Sequence, residues 1–154
     1  MKALVAYFSA TGRTARAAEK LASELNCDAY EIKPAVPYTA ADLNWMDKNS
    51  RSSLEMKDKS SRPAIVKDGL DVSAYDTILI GYPVWWYTAP TVINTFLETY
   101  DFSGKKIVLW ATSGGSGLGK ARLDLAGSTS ATVVDGRILN TDAQIHQFAE
   151  EIHK

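Results

Sequence analysis

The sequence predicts an α/β domain, a doubly wound parallel β-sheet with helices on both faces. Continuous apolar runs at residues 3–8, 77–83 and 106–112 are typical of strands buried on both faces. Segments with helical spacing of apolar residues separate the strands, and this alternation favours a parallel sheet. Ligands of such folds bind beyond the carboxyl ends of the strands. We therefore expect function in the loops that follow these three runs.

Five strands and four regular helices are predicted in order along the chain. The strands lie at residues 3–8, 27–33, 77–83, 106–112 and 132–139, and the helices at residues 14–25, from 90, at 118–125 and from 141 or 142. The second strand is half polar, as an edge position allows. Pro90 suits a first helical position, and Thr141 or Asp142 can cap the last helix.

Residues 34–74 do not follow this alternation, because they are long, polar and interrupted by prolines. A structureless loop of that length is unusual in a compact domain. Thr39 and Asp42 have the spacing of a capping box, with Asp in place of Glu, which predicts a short helix through residues 43–46.

Composition bounds the function classes. The chain has 154 residues and a formal net charge of -1, so we expect one domain over residues 1–154 and no large basic surface for nucleic acid. One cysteine, Cys27, fits a reducing cytosol and is interpreted as a packing residue. Neither a signal-peptide pattern nor an apolar run of about 20 residues is found, which predicts a cytoplasmic protein without a membrane partner.

The loop after the first strand, residues 9–14, carries hydroxyls, a glycine and the start of a helix. Hydroxyls and free backbone N–H groups at a helix N-terminus donate to phosphate oxygens. Gly12 lets the backbone fold closely around a ligand. An ordinary capped turn is the alternative, but the position after the first strand favours a phosphate site.

The loop after the third strand, residues 82–90, contains three consecutive aromatic residues between two prolines. Loop side chains of this kind cannot all be buried by the sheet beside them, and a flat aromatic ligand would cover part of their surface. A patch for a partner protein, or packing against residues 34–74, is the alternative interpretation.

The loop after the fourth strand, residues 112–120, is rich in glycine, which permits close backbone approach. Residues 114–120 match the first part of a nucleoside triphosphate loop, G-x-x-x-x-G-K. Ala121 follows instead of Ser or Thr, so the hydroxyl that holds magnesium is missing and triphosphate binding is disfavoured.

These three loops together resemble flavodoxins. The matching motifs are S-x-T-G-x-T at residues 9–14, P-V-W-W-Y at residues 83–87 and T-S-G-G-S-G at residues 112–117. The stretches at residues 37–47, 51–56 and 61–65 look like a bacterial flavodoxin-like subfamily with an extended segment between the second and third strands.

The resemblance implies strand order 2-1-3-4-5, the cofactor flavin mononucleotide (FMN) and electron transfer. The first loop would hold the phosphate, the aromatic loop would line the isoalloxazine ring, and the glycine-rich loop would meet the ring's pyrimidine edge with backbone groups. The candidate cofactor-binding residues are Ser9, Ala10, Thr11, Gly12, Arg13, Thr14, Pro83, Val84, Trp85, Trp86, Tyr87, Thr112, Ser113, Gly114, Gly115 and Ser116.

Two departures from the family pattern concern charge. Arg13 replaces the asparagine that is usual in flavodoxins, and the chain lacks their strongly acidic character. The three loops contain no Asp or Glu, whereas Arg13 and Lys120 lie in them or beside them. Because nearby carboxylates disfavour an anionic reduced flavin, the sequence predicts a less negative reduction potential than that of acidic flavodoxins.

The extended segment supports a second hypothesis. Tyr38, Trp45, Met46 and Met56 would cover one side of the flavin, and Arg51 or Arg62 would meet an anionic substrate or partner. The alternative is that the aromatic side chains pack on the sheet and the arginines are solvated.

Two function classes remain open. The favoured one is an electron carrier without a substrate of its own, serving redox partner proteins. The other is an FMN-dependent NAD(P)H reductase of quinones or similar small acceptors, while an interaction module that has lost its cofactor is disfavoured by the intact loops. His146 and His153 lie on the last predicted helix without a Cys, Asp or His partner at ligand spacing, so no metal site is expected.

Overall fold

The structure is a computed structural model that describes residues 2–153. Within these residues, five parallel strands form the central sheet. They are β1 (Ala3–Tyr7), β2 (Asp28–Glu31), β3 (Thr77–Pro83), β4 (Lys106–Thr112) and β5 (Thr132–Ile138). The sheet order is β2-β1-β3-β4-β5, and every neighbouring pair is parallel. The predicted strand order and fold class are therefore confirmed.

Among residues 2–153, five α-helices accompany the sheet. They are α1 (Arg13–Leu25), α2 (Arg51–Lys57), α3 (Thr91–Thr99), α4 (Ala121–Ala126) and α5 (Asp142–His153), with a short 3-10 helix at Val72–Ala74. One apolar cluster joins α1 and α5 to the sheet, and a second joins α3 and α4 to it. The helices thus cover both faces, as predicted.

The three central strands are buried along almost their whole length, which explains why their sequences are continuously apolar. Gly81 of β3 lies in register with Trp110 of β4, and a Cβ at Gly81 would overlap the indole ring. The absence of a side chain therefore makes room for a fully buried tryptophan, whose Nε1–H donates to the carbonyl of Leu79 at 3.2 Å.

Both edge strands are partly exposed, as expected for β2 from its polar sequence. β2 is shorter than the predicted range of residues 27–33. Ile32 follows it, is 1% exposed and donates its backbone N–H to the carbonyl of Tyr7 at 2.6 Å. The chain thus remains attached to β1 while it turns into the extended segment.

The predicted helix through residues 43–46 is wrong. The capping-box bonds do form, because Thr39 and Asp42 each accept the other's backbone N–H, at 3.1 and 2.9 Å. The chain continues in turns, however, in which Asn44 and Asp47 accept backbone N–H groups two residues ahead. Such local side-chain bonds compete with a helical ladder, and the helix of this segment begins only at Arg51.

The extended segment is tied to itself and to the sheet. An isolated antiparallel bridge joins Pro34 to Ile65, and the N–H of Ala35 donates to the carbonyl of Ala64 at 2.8 Å. The N–H of Val66 donates to the carbonyl of Lys33, also at 2.8 Å. The start of the segment is thereby held to residues 64–66.

The last helix is capped by Thr141, one of the two predicted caps. Its hydroxyl accepts the N–H of Gln144 at 3.2 Å, and the Gln144 side chain accepts the N–H of Thr141 at 3.0 Å. Within residues 2–153, no helix combines the length and apolar character needed to cross a lipid bilayer.

His146 joins α1 to α5 at the surface, and we predict that this contact is pH dependent. Its imidazole lies 2.6 Å from a Glu24 carboxylate oxygen and 3.0 Å from one of Glu150. The hydrogen bond with Glu24 is the main cause that raises the pKa of His146 above its ordinary value of 6.5. Stabilisation by protonated His146 is therefore fully present below that value and is lost as pH rises through the higher folded-state pKa.

The His146→Gln variant should accordingly unfold at a lower temperature than wild type at about pH 5.5, with a smaller difference at about pH 9. His153→Gln is the matched control, since it removes a histidine from the same helix. Thermal unfolding followed by circular dichroism measures both. A difference that is equal at the two pH values would contradict the assignment.

Candidate functional site

The site lies at the carboxyl ends of β1, β3 and β4, which are adjacent in the sheet. A cleft of about 620 Å³ opens there, within the usual range for small-molecule sites. Its walls come from the aromatic loop, the glycine-rich loop and the extended segment. The lining residues are Leu43, Trp45, Ser52, Val84, Trp85, Trp86, Tyr87, Ser113, Gly114, Gly115 and Ser116.

The aromatic loop is a tight hairpin with a strained backbone. Trp85 and Thr88 exchange both backbone hydrogen bonds, at 3.0 and 3.1 Å. Between them, Trp86 and Tyr87 have φ angles of 48° and 63°, the left-handed pair of a type I′ turn that normally carries Asn and Gly. Their side chains are 44% and 71% exposed. The strain therefore accompanies the presentation of two aromatic rings at the cleft.

The end of the glycine-rich loop holds this turn in place. The N–H of Lys120 donates to the carbonyl of Tyr87 at 3.0 Å, and a Cβ at Gly119 would overlap that carbonyl oxygen. Thr88 donates its hydroxyl to Asp124 at 2.6 Å. Gly119 thus permits the glycine-rich loop to approach the aromatic loop closely.

Ser113 shapes the glycine-rich loop. Its hydroxyl oxygen accepts the N–H of Gly115 at 3.2 Å and that of Ser116 at 2.9 Å. Its own N–H donates to Asn140 at 3.0 Å, and the Asn140 amide donates to its carbonyl at 2.9 Å. Of the four backbone N–H groups of residues 113–116, where backbone contacts with the ring were predicted, three are therefore bonded within the protein. The fourth, that of Gly114, has no acceptor among the described residues.

Asn140 is a residue that the sequence reasoning missed. It lies between β5 and α5, 27 positions from Ser113. Its side-chain amide accepts the N–H of Ser113 and donates to the carbonyl of the same residue. An asparagine directly before a helix cap is usually explained by the cap itself, so no local signal distinguishes this second role.

The first loop closes on itself and leaves the start of α1 open. Gly12 has a φ of 95° and donates its N–H to the Ser9 hydroxyl at 3.0 Å. No side chain among the described residues caps α1, and its first turn contains no acidic residue. Arg13 is exposed and makes no ion pair within residues 2–153. Unpaired N–H groups and the helix dipole at this end favour an anion.

The phosphate-loop candidates lie beside the cleft without lining it. Ser9 and Ala10 line a separate cavity of about 400 Å³, together with part of the extended segment. The buried hydroxyls of Thr14 and Thr112 lie 2.7 Å apart and link α1 to the end of β4. The structure therefore brings the second and third loops together and places the first next to them.

The extended segment contributes only part of what was expected. Trp45 lines the cleft, and Tyr38 packs behind it with its ring 5.5 Å from that of Trp85. Met46 is 73% exposed and does not line the cleft, and Met56 lines a smaller neighbouring pocket of about 150 Å³.

Neither arginine of the extended segment is unpaired. The Arg51 guanidinium lies 2.9 Å from Glu55 and stacks 3.8 Å above the ring centre of Tyr38. Arg62 lies 2.9 Å from Glu98. The hydroxyl of Tyr38 also donates to Glu55, and burial raises the pKa of that phenol. These cations thus belong to internal networks, which disfavours their predicted contact with an anionic substrate.

The chemistry of the site fits a flat ring joined to an anion. No charged side chain is among the described residues that line the cleft, and aromatic side chains form one wall. The uncapped start of α1 next to it suits a phosphate. Ser52 is one of the lining residues, but its hydroxyl is buried and has no hydrogen-bond partner within the described part of the chain.

A family comparison decides what kind of fold carries this site. The sequence model of a protein family described as flavodoxin matches residues 2–154 of this chain. The chain belongs to the flavodoxin family.

Solved structures agree with this membership. A protein of Bacteroides eggerthii DSM 20697, whose flavoprotein name is provisional, is 47% identical, with a TM-score of 0.91 over 99% of this chain and 98% of the other. A similarly named protein of Bacteroides uniformis ATCC 8492 is 47% identical, with a TM-score of 0.89 over 97% of each chain. A flavoprotein of Lactobacillus acidophilus NCFM, solved in complex with FMN, is 25% identical, with a TM-score of 0.70 over 96% of this chain and 98% of the other. None of the curated proteins matches this flavodoxin significantly.

The strained turn leads to a prediction about stability. A left-handed conformation costs about 1–2 kcal/mol for a residue with a Cβ, but not for glycine. Tyr87→Gly and Tyr87→Ala both remove the exposed ring, and only Ala retains the strain. The free energy of unfolding should therefore be about 1 kcal/mol higher for Tyr87→Gly than for Tyr87→Ala in urea denaturation. Equal stability of the two variants would argue against a strained backbone at Tyr87.

Proposed function

We propose that this flavodoxin is an FMN-binding electron carrier that serves redox partner proteins. FMN is the cofactor indicated by its family and by the FMN complex of the Lactobacillus acidophilus flavoprotein. The observation that carries the proposal is the uncharged, aromatic-walled cleft next to an uncapped helix N-terminus. We expect this role in the cytoplasm, since a single cysteine fits a reducing compartment.

Each loop has a distinct part in holding the cofactor. Backbone N–H groups at the start of α1, with the hydroxyls of Ser9 and Thr11 and the charge of Arg13, would bind the phosphate. Trp85, Trp86 and residues 113–116 would enclose the ring. Bound FMN supplies reversible acceptance of electrons, while the protein orients the ring and sets the charge around it.

The surface around the cleft supports a carrier. Trp45, Trp86 and Tyr87 line the cleft and are all exposed, by 68%, 44% and 71%. Exposed apolar side chains grouped in this way are typical of sites for protein partners. A partner docking there would come close to the ring edge without entering the domain.

An NAD(P)H reductase of quinones or similar small acceptors is the second candidate. It is supported by the extended segment, because Leu43 and Trp45 line the cleft in addition to the two loops that would hold the flavin. These apolar side chains would contact a flat acceptor or nicotinamide that enters the cleft.

A steady-state assay separates the two candidates. We predict that the FMN-loaded protein oxidises NADH or NADPH no faster than free FMN does, with or without a quinone. The chemically reduced protein should in turn pass electrons to cytochrome c. Free FMN and heat-denatured protein are the controls. Sustained NAD(P)H oxidation at several turnovers per second would instead establish the reductase.

The charge distribution predicts the direction of the reduction potential. None of the three loops contains a carboxylate side chain. Spectroelectrochemistry should therefore give a potential for formation of the flavin hydroquinone that is less negative than that of acidic flavodoxins. Lys120→Gln should make this potential more negative by an amount on the order of 10 mV, which is the effect of a unit charge at a separation of about 10 Å in water. Lys106→Gln, at the opposite end of β4, is the control. An equally low potential in the wild type would refute the charge argument.

A further inference from the structure

A smaller pocket of about 150 Å³ adjoins the cleft and shares part of its wall. Trp45 and Trp86, both exposed, line the two cavities together. The other described residues of the smaller lining are Lys48, Ser53, Met56 and Lys57. Two tryptophans and two lysines therefore line one cavity, called the Trp–Lys pocket, directly beside the cleft.

The two lysines of this pocket have no charged partner. Lys48 and Lys57 are exposed, and neither forms an ion pair within residues 2–153. The cations of the extended segment that do form ion pairs are Arg51, Lys59 and Arg62. The extended segment thus uses some of its cations internally and leaves these two, beside exposed aromatic rings, without a carboxylate.

The carboxylates closest in sequence do not neutralise these lysines by contact. Asp47 accepts the N–H of residue 49 at 2.9 Å, and Asp58 accepts that of residue 60 at 3.0 Å. Neither aspartate lines the cleft or the Trp–Lys pocket, and no carboxylate is among the described residues that do. The local bonds of the aspartates therefore leave the pocket lining with positive charge only.

A third cation lies on the other side of the aromatic loop. Lys120 is exposed and has no ion pair in the described chain, and its N–H donates to the carbonyl of Tyr87 at 3.0 Å. The nearby carboxylate of Asp124 accepts the Thr88 hydroxyl and lies 3.4 Å from Lys59. The exposed aromatic rings at the cleft thus have unpaired cations on both sides, which favours an acidic partner.

Shape and charge define the occupant of this surface. The cleft and the Trp–Lys pocket are adjoining concavities, which suit the protruding side chains of a protein better than the even surface of a bilayer. A second copy docked through the same surface would place lysines against lysines, and like charges across an interface are unfavourable. Carboxylates of a different protein would instead supply the ion-pair partners that Lys48 and Lys57 lack.

We propose that the Trp–Lys pocket and the cleft mouth beside it dock a redox partner protein that is acidic around its own redox centre. Carboxylates of the partner pair with Lys48 and Lys57, while its apolar side chains cover the exposed tryptophans. This inference rests on the proposed function, because it requires electron transfer from FMN in the cleft. It gives the segment between β2 and β3 the part of selecting the partner by charge.

The test uses two forms of one heme protein as probes. Native cytochrome c is basic, and succinylated cytochrome c carries carboxylates on the same lysines. The FMN-loaded protein is reduced chemically and mixed with each probe in an anaerobic stopped-flow instrument, and heme reduction is followed by absorbance. Electron transfer should be faster to the succinylated probe at low ionic strength, and the difference should shrink as salt screens the charges.

A double variant assigns this preference to the pocket. Lys48→Gln with Lys57→Gln should slow transfer to the succinylated probe about 4-fold at low ionic strength, since a unit charge about 10 Å away in water contributes about 2-fold. The same variant should speed transfer to native cytochrome c, whereas a changed flavin potential would move both rates in one direction. Lys2→Gln with Lys106→Gln, at the opposite ends of β1 and β4, is the matched control and should leave both rates nearly unchanged.

The remaining outcomes contradict the inference or the function beneath it. Equal rates for the two probes, or equal effects of the two double variants, would overturn the inference and leave the carrier function intact. Sedimentation with vesicles of phosphatidylcholine and phosphatidylglycerol that depends on Lys48 and Lys57 would assign the surface to a membrane instead. A dimer in analytical ultracentrifugation that depends on the same lysines would assign it to a second copy. Failure of the wild type to bind FMN, or to reduce either probe, would refute the proposed function itself.

Discussion

The position of the aromatic wall of the cleft depends on the hydrogen bond that the Tyr87 carbonyl accepts. Two consecutive aromatic residues hold left-handed backbone angles, and the N–H of Lys120 bonds to the carbonyl that follows them, at 3.0 Å. Gly119 leaves the space for that approach. The aromatic loop and the end of the glycine-rich loop are therefore one unit, whose strain is maintained by contacts between the two loops. Strain of this kind is common where a protein presents side chains to a ligand.

The same principle extends to the third wall. Tyr38 packs between Arg51 of the extended segment and Trp85 of the aromatic loop. Arg51 and Glu55 of this segment are paired with each other within α2, and the cleft lining carries no charged side chain among the described residues. Under the proposed function, a site built in this way separates two tasks, with the phosphate at the start of α1 and the neutral ring between the loops.

The elements that the sequence predicted well are those governed by local pattern. The strands at residues 77–83 and 106–112 were predicted at their observed bounds, since burial on both faces demands a continuous apolar run. The prediction of a helix at residues 43–46 was wrong because Asn44 and Asp47 direct the chain into turns. The roles of Asn140 and Arg51 could not be predicted, because they come from contacts with residues distant in the chain that only the fold creates.

The central claim is that the cleft and the neighbouring helix start together hold FMN. A crystal structure of the chain grown with FMN tests it most directly. The account predicts the phosphate against the backbone of residues 9–14, and the ring between residues 84–87 and residues 113–116. A structure in which those two loops meet with no space between them, or in which FMN binds elsewhere, would contradict it.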